Sequence, residues 1–328
     1  MKIFTPKYYK DFRCIAGACP DSCCKEWAVD VDPEAAAYYR SLTGDLGDRL
    51  RAVLEDTEDG TVMVIEEGRC PMWRQDGLCR IHAELGHEAL CQTCRDFPRL
   101  QHDYGTFREL GLELSCPEAA RLILSGDDTL VAETTPGDEE ADYDRKLMEI
   151  LLKGRQQVLS FLEATAYSDP EAFAVILLHT HSLQGQIDGG DAPEFDPENC
   201  LADGHRYAGE GSMQALRDFF KGLEILTPEW AELLKTPAQD RVYNRKLLRY
   251  FIGRYWLQAV SDYDLVGRVK FCLAACLLVG SLPGDFQRNA QLFSKEIEND
   301  PDNVEAILDG CYRSPALTDS NLLGLLLR

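Results

Sequence analysis

The sequence predicts an α+β protein, mostly α. A cysteine-rich N-terminal metal domain over residues 1–130 is followed by an all-α helical domain over residues 131–328. Three observations lead there. Nine of the thirteen cysteines lie within the first 116 residues. Short alternating or β-branched segments interrupt that region at 27–32, 61–65 and 107–114. From Tyr143 onward apolar residues recur at three- and four-residue spacing, the period of helices with one buried face.

Taken in order, residues 1–13 read as a short entry segment. Residues 14–24 hold Cys14, Cys19, Cys23 and Cys24 together with Gly17 and Pro20, so they form a loop whose turning N–H groups suit negatively charged sulfur. The alternation at 27–32 predicts an extended segment. Asp32-Pro33 then opens a helix, with Asp as N-cap and Pro in the first turn, and Gly44 closes it. A second short helix and an acidic turn are expected over 45–60, and a strand over 61–65. Cys70-Pro71 after Gly68, and Leu78-Cys79 after the Asp76-Gly77 turn, resemble a knuckle presenting two thiols. A helical turn at 81–85 leads to Cys91-Gln92-Thr93-Cys94, and Pro98 interrupts helix soon after. Cys116-Pro117 opens a helix over 118–124. Gly126, Pro136, Gly137 and acidic residues mark 125–142 as a linker. Helices are expected over 143–166, 170–187, 212–221, 228–235, 240–260, 264–280, 284–299 and 303–312, with a long loop at 189–211.

Composition narrows the function classes. Apolar residues are 45% and charged residues 27%, as in ordinary globular chains. The longest apolar run, 271–282, is too short to span a bilayer, and the N-terminus lacks the apolar core of a signal peptide, so a cytoplasmic protein is expected. There thiols stay reduced, which favours metal over disulfides. A net charge of −22 without any basic run argues against nucleic acid and anionic membranes as partners. A lysine-bearing protein partner is compatible with that charge.

The chemistry is carried by Cys14, Cys19, Cys23, Cys24, Cys70, Cys79, Cys91, Cys94 and Cys116. Nine thiols exceed the need of one four-coordinate group. They suffice for a cluster plus a structural zinc, or for one cluster plus spectators, and spacing does not choose between zinc and an iron–sulfur cluster. His82, close to Cys79, is a further candidate ligand. Cys200, Cys272, Cys276 and Cys311 read as small buried hydrophobes. His179 and His181 read as polar residues at a helix end. Phosphate-binding loops, a dinucleotide fingerprint and a serine nucleophile elbow are absent from the sequence.

At three stretches the chain resembles the flagellin lysine N-methylase (FliB-like) family. They are Phe12-x-Cys14, Cys19, Cys23-Cys24-x-x-Trp27-x-Val29-Asp30-Val31-Asp32; Cys70 through Leu78-Cys79-x-Ile81 to Leu90-Cys91-x-x-Cys94-Arg95-x-Phe97-Pro98-Arg99; and Leu114-Ser115-Cys116-Pro117-Glu118-Ala119-Ala120-Arg121-Leu122. The CxxxCC and Cys-Arg-x-Phe-Pro elements are also similar to a broader family of zinc- or iron-chelating proteins. The resemblance covers roughly residues 4–125. It implies a 4Fe–4S cluster and S-adenosylmethionine as cofactors, and methylation of lysine on flagellin or a similar protein. It does not extend to a radical mechanism, because Cys14, Cys19 and Cys23 depart from the CxxxCxxC spacing. The cluster is expected to orient the donor's amino-acid end, with Arg95 and Arg99 as candidates to hold its carboxylate. The competing reading is a non-enzymatic zinc- or iron-binding interaction module, or a metal or redox sensor.

Overall fold

The computed structural model describes every residue except Glu26, Asp59, Asp138, Glu139 and Glu140. The protein is α+β and mostly α, as expected, and its seven named strands all lie between Lys2 and Thr134. They are β1 (Lys2–Pro6), β2 (Val29–Val31), β3 (Leu54–Thr57), β4 (Gly60–Met63), β5 (Arg99–Asp103), β6 (Phe107–Leu112) and β7 (Leu130–Thr134). Past Arg145 every named element among the described residues is helical.

Two sheets form. In the larger, of order β5-β6-β1-β7, β1 runs parallel to β6 (Lys2 opposite Phe107) and antiparallel to β7 (Phe4 opposite Ala132). The smaller, of order β2-β4-β3, pairs both Val29 and Leu54 with Met63. Four strands fall where the sequence reading had none. Residues 1–13 open with β1. The supposed linker 125–142 contains β7, held by pairing with β1 although all five of its residues are exposed. β5 follows Pro98 and closes a hairpin with β6. The acidic run of that linker lies partly outside the described residues. Within 45–60, read as a short helix and an acidic turn, Leu54–Thr57 forms β3.

The helices follow their caps. Asp32 Oδ1 accepts from Ala35 N at 2.9 Å and opens Pro33–Ser41. That helix stops before Gly44, which instead begins Gly44–Val53. Asp144, Asn244, Asp264, Asp285 and Asp300 each cap a later helix through the side chain, satisfying first-turn N–H groups that have no partner inside the helix. The Asn244 cap explains why the helix expected over 240–260 begins only at Arg245. The loop expected over 189–211 contains the helix Pro197–Tyr207, started by Asp196 and Pro197. Its Gly204 packs so closely on the C-terminal helix Asp319–Leu327 that a Cβ there would lie 3.1 Å from Leu327. That C-terminal helix was also not read from the sequence.

At the centre of the helical part lies Leu265–Ser281, buried along its whole length. It is mostly apolar, as a helix surrounded by others must be, and buries two charges, Arg268 and Lys270. The apolar residues form two clusters. The smaller joins Val29, Val31, Tyr39, Leu50, Met63, Met72, Ile81 and Leu90 around Cys70 and Cys91. The larger holds the helical part and, with it, Tyr8, Phe12, Phe107, Leu112 and Leu114. Residues from both sides of position 130 therefore share one core.

Candidate metal centre

The cysteine loop is built from local turns. Residues Ala16–Ala18 form a 3-10 turn, Ala16 N donates to Cys14 Sγ at 3.4 Å, and Cys19 N donates to Ala16 O. Ser22 Oγ accepts from Cys24 N at 3.1 Å. Cys70 N then donates to Cys24 O at 2.8 Å, so the second cysteine stretch is laid directly against the first. The Cys91–Cys94 turn is tied to β2 by two long-range bonds: Gln92 N to Asp32 Oδ2 at 2.7 Å and Thr93 Oγ1 to Asp30 O at 2.9 Å. Asp32 thus caps one helix and anchors another. Tyr39, fully buried, donates its hydroxyl to Ala89 O at 2.8 Å.

All nine N-terminal cysteines are free thiols, and their electrostatics show which of them face one another. Cys24 is held down at about 3, first because Cys23 donates to it and then because Cys70 does. Cys23 and Cys70 are correspondingly pushed up by giving those bonds and by burial. Cys91, accepting from Cys94, is lowered to about 7, and Cys94 is raised. Cys23 and Cys94 feel each other's neighbourhood: Cys94 senses Cys91, Cys24 and Cys23, while Cys23 senses Cys14 and Cys116. Burial raises Cys19 and Cys79, and lifts Cys116 to about 11. Each of the nine thiols is thus felt electrostatically by at least one other, with the strongest coupling among Cys23, Cys24 and Cys70 and between Cys91 and Cys94.

Among the described residues, no three His, Cys, Asp or Glu side chains stand as a ready-made ligand set for a single metal ion. The donor set is soft sulfur throughout, which fits a thiolate-held group; Cys70 and Cys91 are buried among Met63, Met72, Ile81 and Leu90, with Cys24 and Cys79 packed against them, while Cys14, Cys23 and Cys94 are exposed. His82 is exposed and packs edge-on against His87 at 5.9 Å. Arg95 lines a pocket of about 340 Å³ together with Asp32, Glu34 and Glu88. Arg99 lies over the Phe12 ring at 5.2 Å. Cys272, Cys276 and Cys311 are buried in the helical core.

No local pattern marks the residues that bind this loop to the helical part. Asp21, inside the CxxxCC element, is reached by Arg288 Nη1 at 2.9 Å, Gln291 Nε2 at 3.1 Å and Lys295 Nζ at 3.4 Å. Burial works to raise its carboxyl, but Lys295, Arg288 and the Ser22 N–H outweigh it and hold it at about 2. Gln291 also donates to Ser115 O at 2.6 Å, and Gln287 to Pro117 O at 3.3 Å. The helix Phe286–Phe293 and the π turn that follows it at 294–298 thus grip both the first cysteine loop and the Cys116 segment. Beneath them, Tyr250 hydroxyl accepts from Leu114 N at 3.3 Å and donates to Glu298 Oε2 at 3.0 Å, and Arg254 Nε meets Glu298 at 3.1 Å.

No family model matches the chain, and no solved structure matches it. Curated relatives are similar to part of it. A Lysine-N-methylase of Salmonella choleraesuis (strain SC-B67) is 30% identical over 138 residues, 38% of this chain and 33% of the relative. A Lysine-N-methylase of Salmonella typhimurium is 30% identical over 135 residues, with the same shares of 38% and 33%. The Flagellar biosynthetic protein FliU of Salmonella muenchen is 29% identical over 138 residues, 38% of this chain and 78% of the relative. The match spans about a third of the length of the two lysine-N-methylases. These relatives bear out the resemblance drawn from the cysteine motifs.

Proposed function

We propose that this chain is a protein lysine N-methyltransferase that uses S-adenosylmethionine, carries a 4Fe–4S cluster and acts on flagellin or a similar lysine-bearing protein. The similarity to proteins named Lysine-N-methylase carries the reading. The assembly of nine N-terminal thiols supports it.

The reaction breaks the bond between the donor's sulfonium sulfur and its methyl carbon and forms a bond from that carbon to the lysine nitrogen. S-adenosylhomocysteine leaves, and the amine gives up a proton. Lysine is protonated at neutral pH, with an ordinary pKa of about 10.4, so the amine must shed a proton before its lone pair attacks. The acidic surface, with a formal charge of −22, draws a cationic partner from solution and makes capture sensitive to salt. Cys23, Cys24, Cys70, Cys91 and Cys94, the thiols most strongly coupled to one another, would hold the cluster, with Cys14, Cys19, Cys79 and Cys116 as further candidates. When bound, the cluster supplies local charge and an iron able to accept a nitrogen or oxygen ligand. Asp21 and Gln291 keep the surrounding loops in place.

The test is transfer of a labelled methyl group. Protein purified without oxygen, labelled donor and flagellin are incubated together, and the flagellin is digested to amino acids. Label recovered as methyl-lysine supports the reading. Label absent from lysine under conditions where the donor is bound contradicts it.

A further inference from the structure

A cavity of about 740 Å³ lies between the four-stranded sheet and the helices Arg145–Ala164 and Arg245–Tyr255. That volume suits a nucleoside-sized ligand. It is separate from the pocket that contains Arg95. Its wall carries charges of both signs: Arg155, Arg245, Lys246, Arg249 and Arg254 stand with Glu109, Asp128 and Glu163. Arg155 Nη1 donates to Glu109 Oε2 at 2.8 Å, and Arg249 Nε donates to Asp128. Leu100, Leu110 and Leu159 supply an apolar surface between them.

One polar atom of this wall lacks a protein partner. His102 Nε2 is buried and makes no hydrogen bond among the described residues. A buried polar atom left in that state is costly, and a ligand's amine or ring nitrogen satisfies it in either tautomer.

We propose that this cavity binds the methyl donor, an adenosyl-bearing α-amino acid; the assignment rests on the methyltransferase reading given above. The ligand carries a carboxylate, an ammonium and a sulfonium. A wall of paired opposite charges matches such a zwitterion better than a wall of one sign. By contrast, the pocket around Arg95 holds three carboxylates, which repel the donor's own carboxylate. Leu112 lines the cavity, the chain runs on to Cys116 four residues later, and Tyr250, another lining residue, accepts from Leu114 N, so one segment of chain links the cavity to a thiol.

The test is calorimetry of S-adenosylmethionine and S-adenosylhomocysteine on the full chain, with His102→Ala and Gln156→Trp variants. Gln156 lines the cavity from the exposed side of its helix, so the bulky residue fills the space without entering the core. Losing the His102 contact is expected to raise Kd about tenfold, and Gln156→Trp is expected to abolish binding while the circular dichroism spectrum stays that of the parent. Ultraviolet cross-linking of labelled donor to the parent protein should mark peptides from 99–112 or 245–254. Parent-like affinity in both variants, or label confined to peptides outside the cavity, overturns the assignment and leaves the methyltransferase reading standing. A parent protein that binds neither compound overturns both.

Discussion

The Asp21 carboxylate accepts a hydrogen bond from Arg288 Nη1 at 2.9 Å, joining two residues 267 positions apart. Lys295, 2% exposed, faces the same carboxylate. Through this one side chain the first cysteine loop is fastened to the helical part, so the thiol centre and the helices form one mechanical unit.

Replacing Asp21 with Ala removes the carboxylate that faces the buried Lys295 and the partly exposed Arg288. Breaking a buried ion pair from one side costs about 3 kcal/mol. Urea unfolding should show that loss, and Asp21→Asn, which keeps an acceptor oxygen, should lose less. Equal midpoints for parent and Asp21→Ala would show that the loop is held by other contacts.

The cysteines should divide into two groups. Cys19→Ala, Cys23→Ala, Cys24→Ala or Cys94→Ala should lose the bound metal or the soluble fold, since an incomplete ligand set binds poorly. Cys272→Ala and Cys276→Ala, in the core of Leu265–Ser281, should cost only packing, about 1 kcal/mol or slightly more. Iron and sulfide analysis of each variant checks this. Metal lost on Cys272→Ala and kept on Cys23→Ala would reverse the assignment.

A pH effect is expected at His179. It is 1% exposed, neither ring nitrogen has a hydrogen-bond partner among the described residues, and burial lowers its pKa to about 4. In the unfolded chain it titrates near 6.5. The unfolded state therefore takes up the proton first. Stability from the neutral imidazole is complete above about pH 6.5 and is lost as pH falls toward about 4. Unfolding midpoints measured across this window should fall more steeply for the parent than for His179→Leu. Parallel slopes would contradict the burial argument.

The shared core predicts the behaviour of a truncated chain. A fragment of residues 131–328 leaves the larger cluster without Tyr8, Phe12, Leu112, Leu114 and Ile123. It should unfold at lower urea concentration than the full chain, or bind a hydrophobic dye while keeping helical circular dichroism. A fragment as stable as the full chain would show that residues past 130 make an independent core.

What the sequence made legible was local chemistry. The Asp32-Pro33 start needs only a cap and the residues after it, and the structure places the Ala35 N–H on Asp32. The thiol group was legible because clustered cysteine is itself a chemical signal. β5, Arg-Leu-Gln-His-Asp, was not, because only Leu100 marks it as apolar and its pairing with β6 comes from the fold. Pro197–Tyr207 was passed over for a similar reason: apart from Cys200, Leu201 and Ala202 its residues are polar, glycine or proline, apart from the exposed Tyr207 at its end. Arg288, Gln291 and Lys295 carry no local signature, since each acts on a carboxylate in a loop far away in sequence. The cavity wall is likewise drawn from strands and helices that only the fold brings together.

The most direct test of the central claim is mass spectrometry of flagellin after incubation with S-adenosylmethionine and each of three proteins: the cluster-replete parent, the parent stripped of iron, and Cys23→Ala. The account predicts that lysine residues gain the mass of a methyl group only with the replete parent. Flagellin left unmodified by the replete, donor-binding parent, or modified equally by the stripped protein, would contradict it.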